Sequence, residues 1–141
     1  MSEFTVLAGG PFSDPEVQAL YESVGWGAYT REPKVLAAAV RGSSFVVTAR
    51  NSGGALVGMA RAISDDATIC YLQDILVDPV FQKSGAGRAL LEAVRWRYQH
   101  VRQFVLLTDN DPGQRAFYES LGFTEGSDFR PEPVRVFAQF R

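Results

Sequence analysis

The sequence predicts an α+β fold, a mixed sheet with helices on both faces. Three observations point to it. Ser44 to Arg50 and Ala55 to Ala62 are β-rich runs flanking Asn51-Ser52-Gly53-Gly54, which reads as a hairpin. Thr68 to Val77 is an apolar strand that passes through a glycine loop straight into a helix start. Beyond that helix the chain alternates strand, helix and strand. Antiparallel pairing followed by strand-helix-strand units gives a sheet of mixed direction covered by its crossover helices.

Each element has a local reason. Phe4 to Ala8 alternates as a first strand and stops at Gly9-Gly10-Pro11. Ser13 or Asp14 caps a helix that begins with Pro15 and carries Val17, Leu20, Tyr21 and Val24 on one face. A second helix runs from Pro33 to Val40 and closes at Gly42. The hairpin follows, and Ser64-Asp65-Asp66 turns the chain into the central strand. Leu90, Leu91, Val94, Tyr98 and Val101 recur at helical spacing and mark the long helix. Phe104 to Thr108 reads as a buried strand. Asp111-Pro112 starts a helix holding Phe117 and Tyr118, Gly122 reads as a left-handed stop, and Val134 to Phe140 reads as a closing strand.

With 141 residues and no low-complexity stretch or linker, residues 1–141 are expected to form a single domain with a core that needs no disulfide or metal. Cys70 is the only cysteine and sits in an apolar run, where it reads as a small buried hydrophobe. His100 is the only histidine, so no zinc site is expected. A formal charge of −2 with scattered arginines argues against nucleic acid as a partner. No apolar run reaches membrane-spanning length and the N-terminus lacks secretory features, so the expected location is cytoplasmic, away from the membrane. A homodimer is left open.

The chemistry starts at Gln82-Lys83-Ser84-Gly85-Ala86-Gly87. Amides without carbonyl partners in a first helical turn, joined by loop amides that glycines leave accessible, converge on one spot and favour an anion there. A diphosphate fits. The stretch lacks the Gly-Lys-Ser/Thr end of a nucleoside-triphosphate loop and the third glycine of a dinucleotide fingerprint. It does match, at Gln82, Gly85 and Gly87, the Gln/Arg-x-x-Gly-x-Gly/Ala signature of the GNAT superfamily of acyl-CoA-dependent N-acyltransferases, which this sequence resembles over nearly its whole length. A second match lies about thirty residues on, where Ala116 to Phe123 resembles the family's Phe/Leu-Tyr-x-x-x-Gly-Phe segment.

The resemblance implies acetyl-CoA as cosubstrate and acetyl transfer to a primary amine through a tetrahedral intermediate. It implies that amides of Lys83, Ser84, Gly85, Ala86, Gly87 and Arg88 cradle the pyrophosphate, while backbone around Leu76 and Val77 pairs with the pantetheine arm. It implies that Tyr118 lies near the thioester sulfur, where a phenol holds a hydrogen bond to the departing thiolate. It further implies that the Val77 amide receives the developing oxyanion, given a bulge or splay there that Asp78-Pro79 favours. An asparagine that often contacts pantetheine in relatives has its nearest counterpart in Asn110, slightly out of register.

The attacking amine must lose a proton. Asp74 is the first candidate to take it, because a carboxylate in an apolar strand needs a reason to be there. The alternative is a structural aspartate paired with Arg61 or a neighbouring backbone amide. Asp109 and Asp111 stand in reserve, and Asp111 before Pro112 suits a helix cap better.

For the acceptor, Val24-Gly25-Trp26-Gly27-Ala28-Tyr29-Thr30 offers Trp26 and Tyr29, whose rings suit an aromatic body or a cationic head. Trp26 as a lid over the core edge is the competing reading. Together with Leu56 to Ala62 and Asp74 to Pro79, this segment resembles the small GNAT branch that includes plant-type arylalkylamine (serotonin) acetyltransferases. A small-molecule amine, possessing an aromatic or hydrophobic body, is the expected acceptor. Protein lysines or N-termini, or a non-catalytic acyl-CoA sensor, are the alternatives, since fold alone does not decide function.

Overall fold

The computed structural model describes residues 4–141. The described chain divides after Leu106 into two compact units.

The first unit holds a five-stranded sheet in sequence order: β1 (Phe4–Ala8), β2 (Phe45–Asn51), β3 (Leu56–Ser64), β4 (Ile69–Val77) and β5 (Gln103–Leu106). The first three junctions are antiparallel and β4–β5 is parallel, joined through α4 (Ala86–Arg97). Local chemistry sets the turns. Asn51 Oδ1 accepts from the Gly53 and Ala55 amides, at 3.0 and 2.9 Å, and Gly54 takes a φ of +87°. Asp65 Oδ1 gathers the amides of Ala67, Thr68 and Ile69 at 2.9, 2.7 and 3.1 Å, and the Thr68 hydroxyl together with these amides holds its carboxyl far below the usual range.

One face of the sheet carries α1 (Asp14–Ser23), the single turn α2 (Gly27–Thr30) and α3 (Pro33–Arg41). Ser13 and Glu16 form a reciprocal capping box at the start of α1. Glu16 also grips Arg50 of β2 at 2.6 Å, and that charged hydrogen bond, with the Ser13 amide, holds the Glu16 carboxyl down at about 2. Val17, Leu20 and Tyr21 of α1 join Leu36 and Val40 of α3 against Met59 and Leu76 of the sheet. On the opposite face α4 buries Ala86, Leu90, Leu91 and Val94. Its close approach explains Gly58, where a Cβ would stand 3.0 Å from Leu90 Cδ1 and 3.3 Å from the Leu76 carbonyl oxygen.

The second unit, Leu107–Arg141, contains α5 (Pro112–Ser120). Asp111 caps it by accepting from the Gly113 amide at 3.1 Å. Gly122 ends it at a φ of +91°, with Phe123 N–H bonded to the Tyr118 carbonyl and Gly122 N–H to that of Glu119, both at 3.1 Å.

Four expectations change. The Trp26–Tyr29 segment, given no helix by the sequence, winds into α2. The long helix ends at Arg97, leaving Val101 outside it. The strand expected at Phe104 to Thr108 is Gln103–Leu106 and only half-buried, because it is an end strand of the sheet. No strand forms at Val134 to Phe140. There the Val134 N–H bonds the Gly126 carbonyl at 2.7 Å, and Val134, Val136, Phe137 and Phe140 stand exposed. An alternating pattern becomes a strand only when a neighbouring edge takes its backbone groups.

Candidate active site

β4 ends where Asp78 turns the chain. The Asp78 amide donates to the Val57 carbonyl at 2.8 Å, and its side chain accepts from the Val80 amide at 2.9 Å, starting a 3-10 turn over Pro79–Phe81. Lys83 at φ +65° and Gly85 at φ +93° then swing the backbone into α4. No side chain from Gly85, the residue at the cap, closes the start of that helix, as an anion cradle requires. Ser84 Oγ takes one amide, that of Ala86, at 3.3 Å. Gln82 turns back toward the strand, and its Nε2 donates to the Val77 carbonyl at 3.2 Å. The Gln82 side chain therefore closes the loop on the strand it leaves. Leu76 buries its side chain in the core, so only its backbone can face a ligand.

The strand itself supplies further donors. In an antiparallel pair, residues that exchange hydrogen bonds alternate with residues that do not. The Asp78–Val57 bond fixes the phase, so Leu76 and Asp74 point their amides at β3 while Val77 and Ile75 point theirs the other way. On that side the β4–β5 ladder ends at Leu72 and Leu106. β4 therefore runs on past the end of β5 from Gln73 to Val77 without a strand partner on that side, and the Val77 amide lies along this unpaired edge.

A β-bulge decides what faces the opening. Arg61 pairs with Asp74 and Ala62 with Leu72, so Gln73 is the extra residue on β4. Before the bulge Cys70 faces α4, where it neighbours Arg97 and Tyr98. Beyond it Asp74 faces α1 and α2. Without the extra residue, Asp74 would share the side of Cys70 and Leu72.

Asp74 is buried and meets three donors: Arg61 Nε at 2.6 Å and the Tyr21 hydroxyl at 2.9 Å on Oδ2, and the Tyr29 hydroxyl at 3.0 Å on Oδ1. Of the two readings the sequence leaves for Asp74, this geometry matches the ion pair with Arg61. Burial beside that carboxylate raises the Tyr21 phenol, which stays protonated and donates. The Tyr29 oxygen accepts from Gln73 Nε2 at 3.1 Å and from Arg61 at 3.4 Å, so its hydrogen-bonding capacity is filled. Its ring remains half-buried at the surface of the network. Tyr21, Trp26 and Tyr29 form a three-ring cluster with centroid separations of 5.7, 5.3 and 6.2 Å. Trp26 packs on the core from this cluster, as the lid reading requires, with part of its surface still exposed.

In the second unit, Tyr118 is buried between Phe117 and Phe123, with ring centroids 5.1 and 5.9 Å away. Burial, with the Asp109 charge, pushes its phenol up to about 12. Asn110 is exposed, just ahead of the capping Asp111. Burial pushes the Cys70 thiol up to about 11, which suits an inert hydrophobe. His100 is exposed and bonded to Asp66 at 2.9 Å. Among the described residues no group of His, Cys, Asp and Glu is placed to hold a metal ion.

Two residues of the network escape sequence reasoning. Tyr21 lies on a helix face that reads simply as core, although a phenol there needs a hydrogen-bond partner. Gln73 carries no signal, because a bulge depends on the partner strand.

Comparison with known proteins gives one family and close agreement of fold. Residues 41–125 match the profile of the acetyltransferase (GNAT) domain. A Glycine max protein named as a histone acetyltransferase is 36% identical over 129 residues, covering 82% of this chain and 54% of its own length. An Arabidopsis thaliana protein named GCN5-related N-acetyltransferase 2, chloroplastic, is 34% identical, covering 87% of this chain and 54% of its own length. The chain thus spans about half the length of these relatives. A GNAT-family acetyltransferase structure from Streptococcus pneumoniae superposes with a TM-score of 0.80 at 24% identity, over 97% of this chain and 99% of that one.

Proposed function

Because this chain belongs to the GNAT family of acyl-CoA-dependent acetyltransferases, we propose that it transfers an acetyl group from acetyl-CoA to a small primary amine with an aromatic or hydrophobic body. The observation that carries this reading is the unpaired edge of β4 running into the glycine loop and the start of α4. Amides of the glycine loop and first turn of α4 bind the pyrophosphate, and the β4 backbone near Leu76 and Val77 receives the pantetheine arm. The neutral amine attacks the thioester carbonyl, forming the C–N bond. The carbonyl oxygen takes the negative charge and is held by the Val77 amide. Collapse breaks the C–S bond, and the thiolate leaves against the Tyr118 hydroxyl.

What supports Tyr118 is its motif and its own environment. A phenol near 12 keeps its proton through the working range, and a thiolate is a weaker base than its phenolate. Tyr118 therefore acts by hydrogen bonding to the departing sulfur, and the proton lost by the amine passes to solvent. Asp74, held by three donors, serves as a positioning residue that holds Tyr29 and Arg61 under the acceptor. Tyr29 and Trp26 offer ring surface to the amine's body. A protein amine is the second reading, favoured by the name of the Glycine max relative.

Two experiments test this. Release of free thiol from acetyl-CoA over a panel of small amines and peptides should show turnover of small amines above peptides. Turnover confined to peptides would replace the first reading by the second, and acetyl-CoA binding without turnover of any amine would leave a sensor. Trp26→Ala should then raise the Michaelis constant for an aromatic amine with little change for acetyl-CoA. Lost thermal stability with unchanged amine kinetics would make Trp26 core alone.

The cofactor site has its own prediction. Gly85→Ala meets no atom within 4 Å, so its cost is the left-handed backbone, about 1–2 kcal/mol for a residue with a Cβ. Gly87→Asp places a carboxylate in the first turn of α4, against the phosphates. Calorimetry should show CoA affinity falling about tenfold or more in the aspartate variant, since one repelling contact of about 1.4 kcal/mol suffices. Unchanged affinity in both folded variants would remove the glycine loop from the cofactor site.

A further inference from the structure

The Tyr29 hydroxyl orients a side chain that nothing so far has used. Its hydrogen goes to Asp74 Oδ1, because a carboxylate only accepts. It therefore has no hydrogen for Gln73, and the Gln73 carboxamide must present its NH2 group to the tyrosine oxygen, which it does at 3.1 Å. The amide flip that usually leaves glutamine ambiguous is excluded here by hydrogen-bond logic. Gln73 Oε1 is consequently pinned outward. It accepts no hydrogen bond from the described residues, and it is not among their buried unpaired atoms, of which Gln18 Oε1 is the single case. An oriented, solvent-reachable acceptor thus stands at the bulge, one residue beyond the last β4–β5 pair, where the unpaired edge of β4 begins.

We propose that Gln73 is a specificity-determining residue, whose Oε1 accepts a hydrogen bond from an N–H or O–H group at the far end of the acceptor amine. The inference rests on the acetyl-transfer reading above for where the reacting end lies. Four strand steps lead from Gln73 to Val77, about 13 Å of rise. With the side chains of both substrate and protein reaching inward, the distal donor stands on the order of 10 Å from the nitrogen that is acetylated. The acceptor class is thereby narrowed to amines with a polar donor at the end of an apolar body. A plain alkyl or aryl amine leaves Oε1 to water.

The test compares 7-amino-1-heptanol with heptylamine, which differ by the hydroxyl alone, and adds 1,7-diaminoheptane. For wild type, Gln73→Leu and Gln73→Glu, kcat/KM is measured with acetyl-CoA, and amine affinity is measured by calorimetry with CoA bound. The alcohol-to-alkylamine ratio should fall about fivefold in Gln73→Leu, the worth of one neutral hydrogen bond. In Gln73→Glu, which retains an acceptor and adds charge, preference should move toward the diamine by about tenfold. A variant that merely disturbs Tyr29 lowers all three amines alike and leaves the ratios where they were. Turnover with unchanged ratios in both variants overturns the role of Gln73 and leaves acetyl transfer standing. Affinity ratios that follow Gln73 without turnover of any amine do the reverse. If Gln73→Leu does not fold, the diamine shift in Gln73→Glu decides alone, and its absence overturns the proposal.

Discussion

Asp74→Ala is expected to cost about 3–5 kcal/mol of folding stability, the usual result of leaving one partner of a buried ion pair alone. Arg61 and Asp74 are each only 5% exposed, and the carboxylate also holds the hydroxyls of Tyr21 and Tyr29. Removing it takes the charge partner from a guanidinium left with Ala39, Ser43 and Tyr29, and takes the acceptor from two phenols. That loss is a large share of the stability of a chain this size. The double variant Arg61→Met with Asp74→Leu should recover much of it, since apolar side chains of similar volume often match a buried pair. Urea unfolding of the two single variants and the double variant gives the comparison. A loss in the double variant equal to the sum of the two single losses would mean that the pair is not coupled. In kinetics, Asp74→Asn should lower turnover without moving its pH profile, as a positioning role requires. An alkaline shift of the profile would restore Asp74 as the base that takes the amine's proton.

Tyr118→Phe should lower kcat about a hundredfold, the low end of the effect of removing one hydrogen-bond donor aimed at charge that develops in the transition state. The Michaelis constant for acetyl-CoA should change little, because the lost hydrogen bond matters as the sulfur departs. Stability supplies an independent check. The folded phenol sits at about 12, above the ordinary value of 10.0. Between those values the unfolded chain has given up this proton and the folded chain has not. The unfolded state then binds fewer protons, so the contribution present below pH 10 is lost as pH rises toward 12. Thermal melts of the phenylalanine variant should lack that part of the alkaline decline. A variant that turns over like its parent would reduce Tyr118 to packing between Phe117 and Phe123.

The parts of this protein legible in its sequence are those built from short-range chemistry. The helix start at Ser13–Pro15, the Asn51 turn, the stop at Gly122 and the loop from Asp78 to Gly85 each depend on residues a few positions apart. A side chain reaching a nearby amide, or a glycine accepting a positive φ, acts the same way in any fold. The family signature is of this kind, since Gln82 and Gly85 close and bend one loop. Val134 to Phe140 shows the limit: its alternation is a strand pattern, yet a ladder needs a second edge, and none is specified locally.

The face on which Asp74 lies could not be read from the chain. Alternation from Cys70 onward sends it toward α4, and only the extra residue opposite the Arg61–Ala62 step turns it toward Tyr21 and Tyr29. That bulge is a property of two strands together, and so is the open edge of β4, which exists because β5 stops at Leu106. Sequence spacing carries the periodicity of one element and the chemistry of its ends. Register, bulge and the point where pairing ends arise from competition between paired strands for the same backbone hydrogen bonds, so Gln73, Arg61, Asp74 and the two tyrosines became one site only when the sheet brought them together.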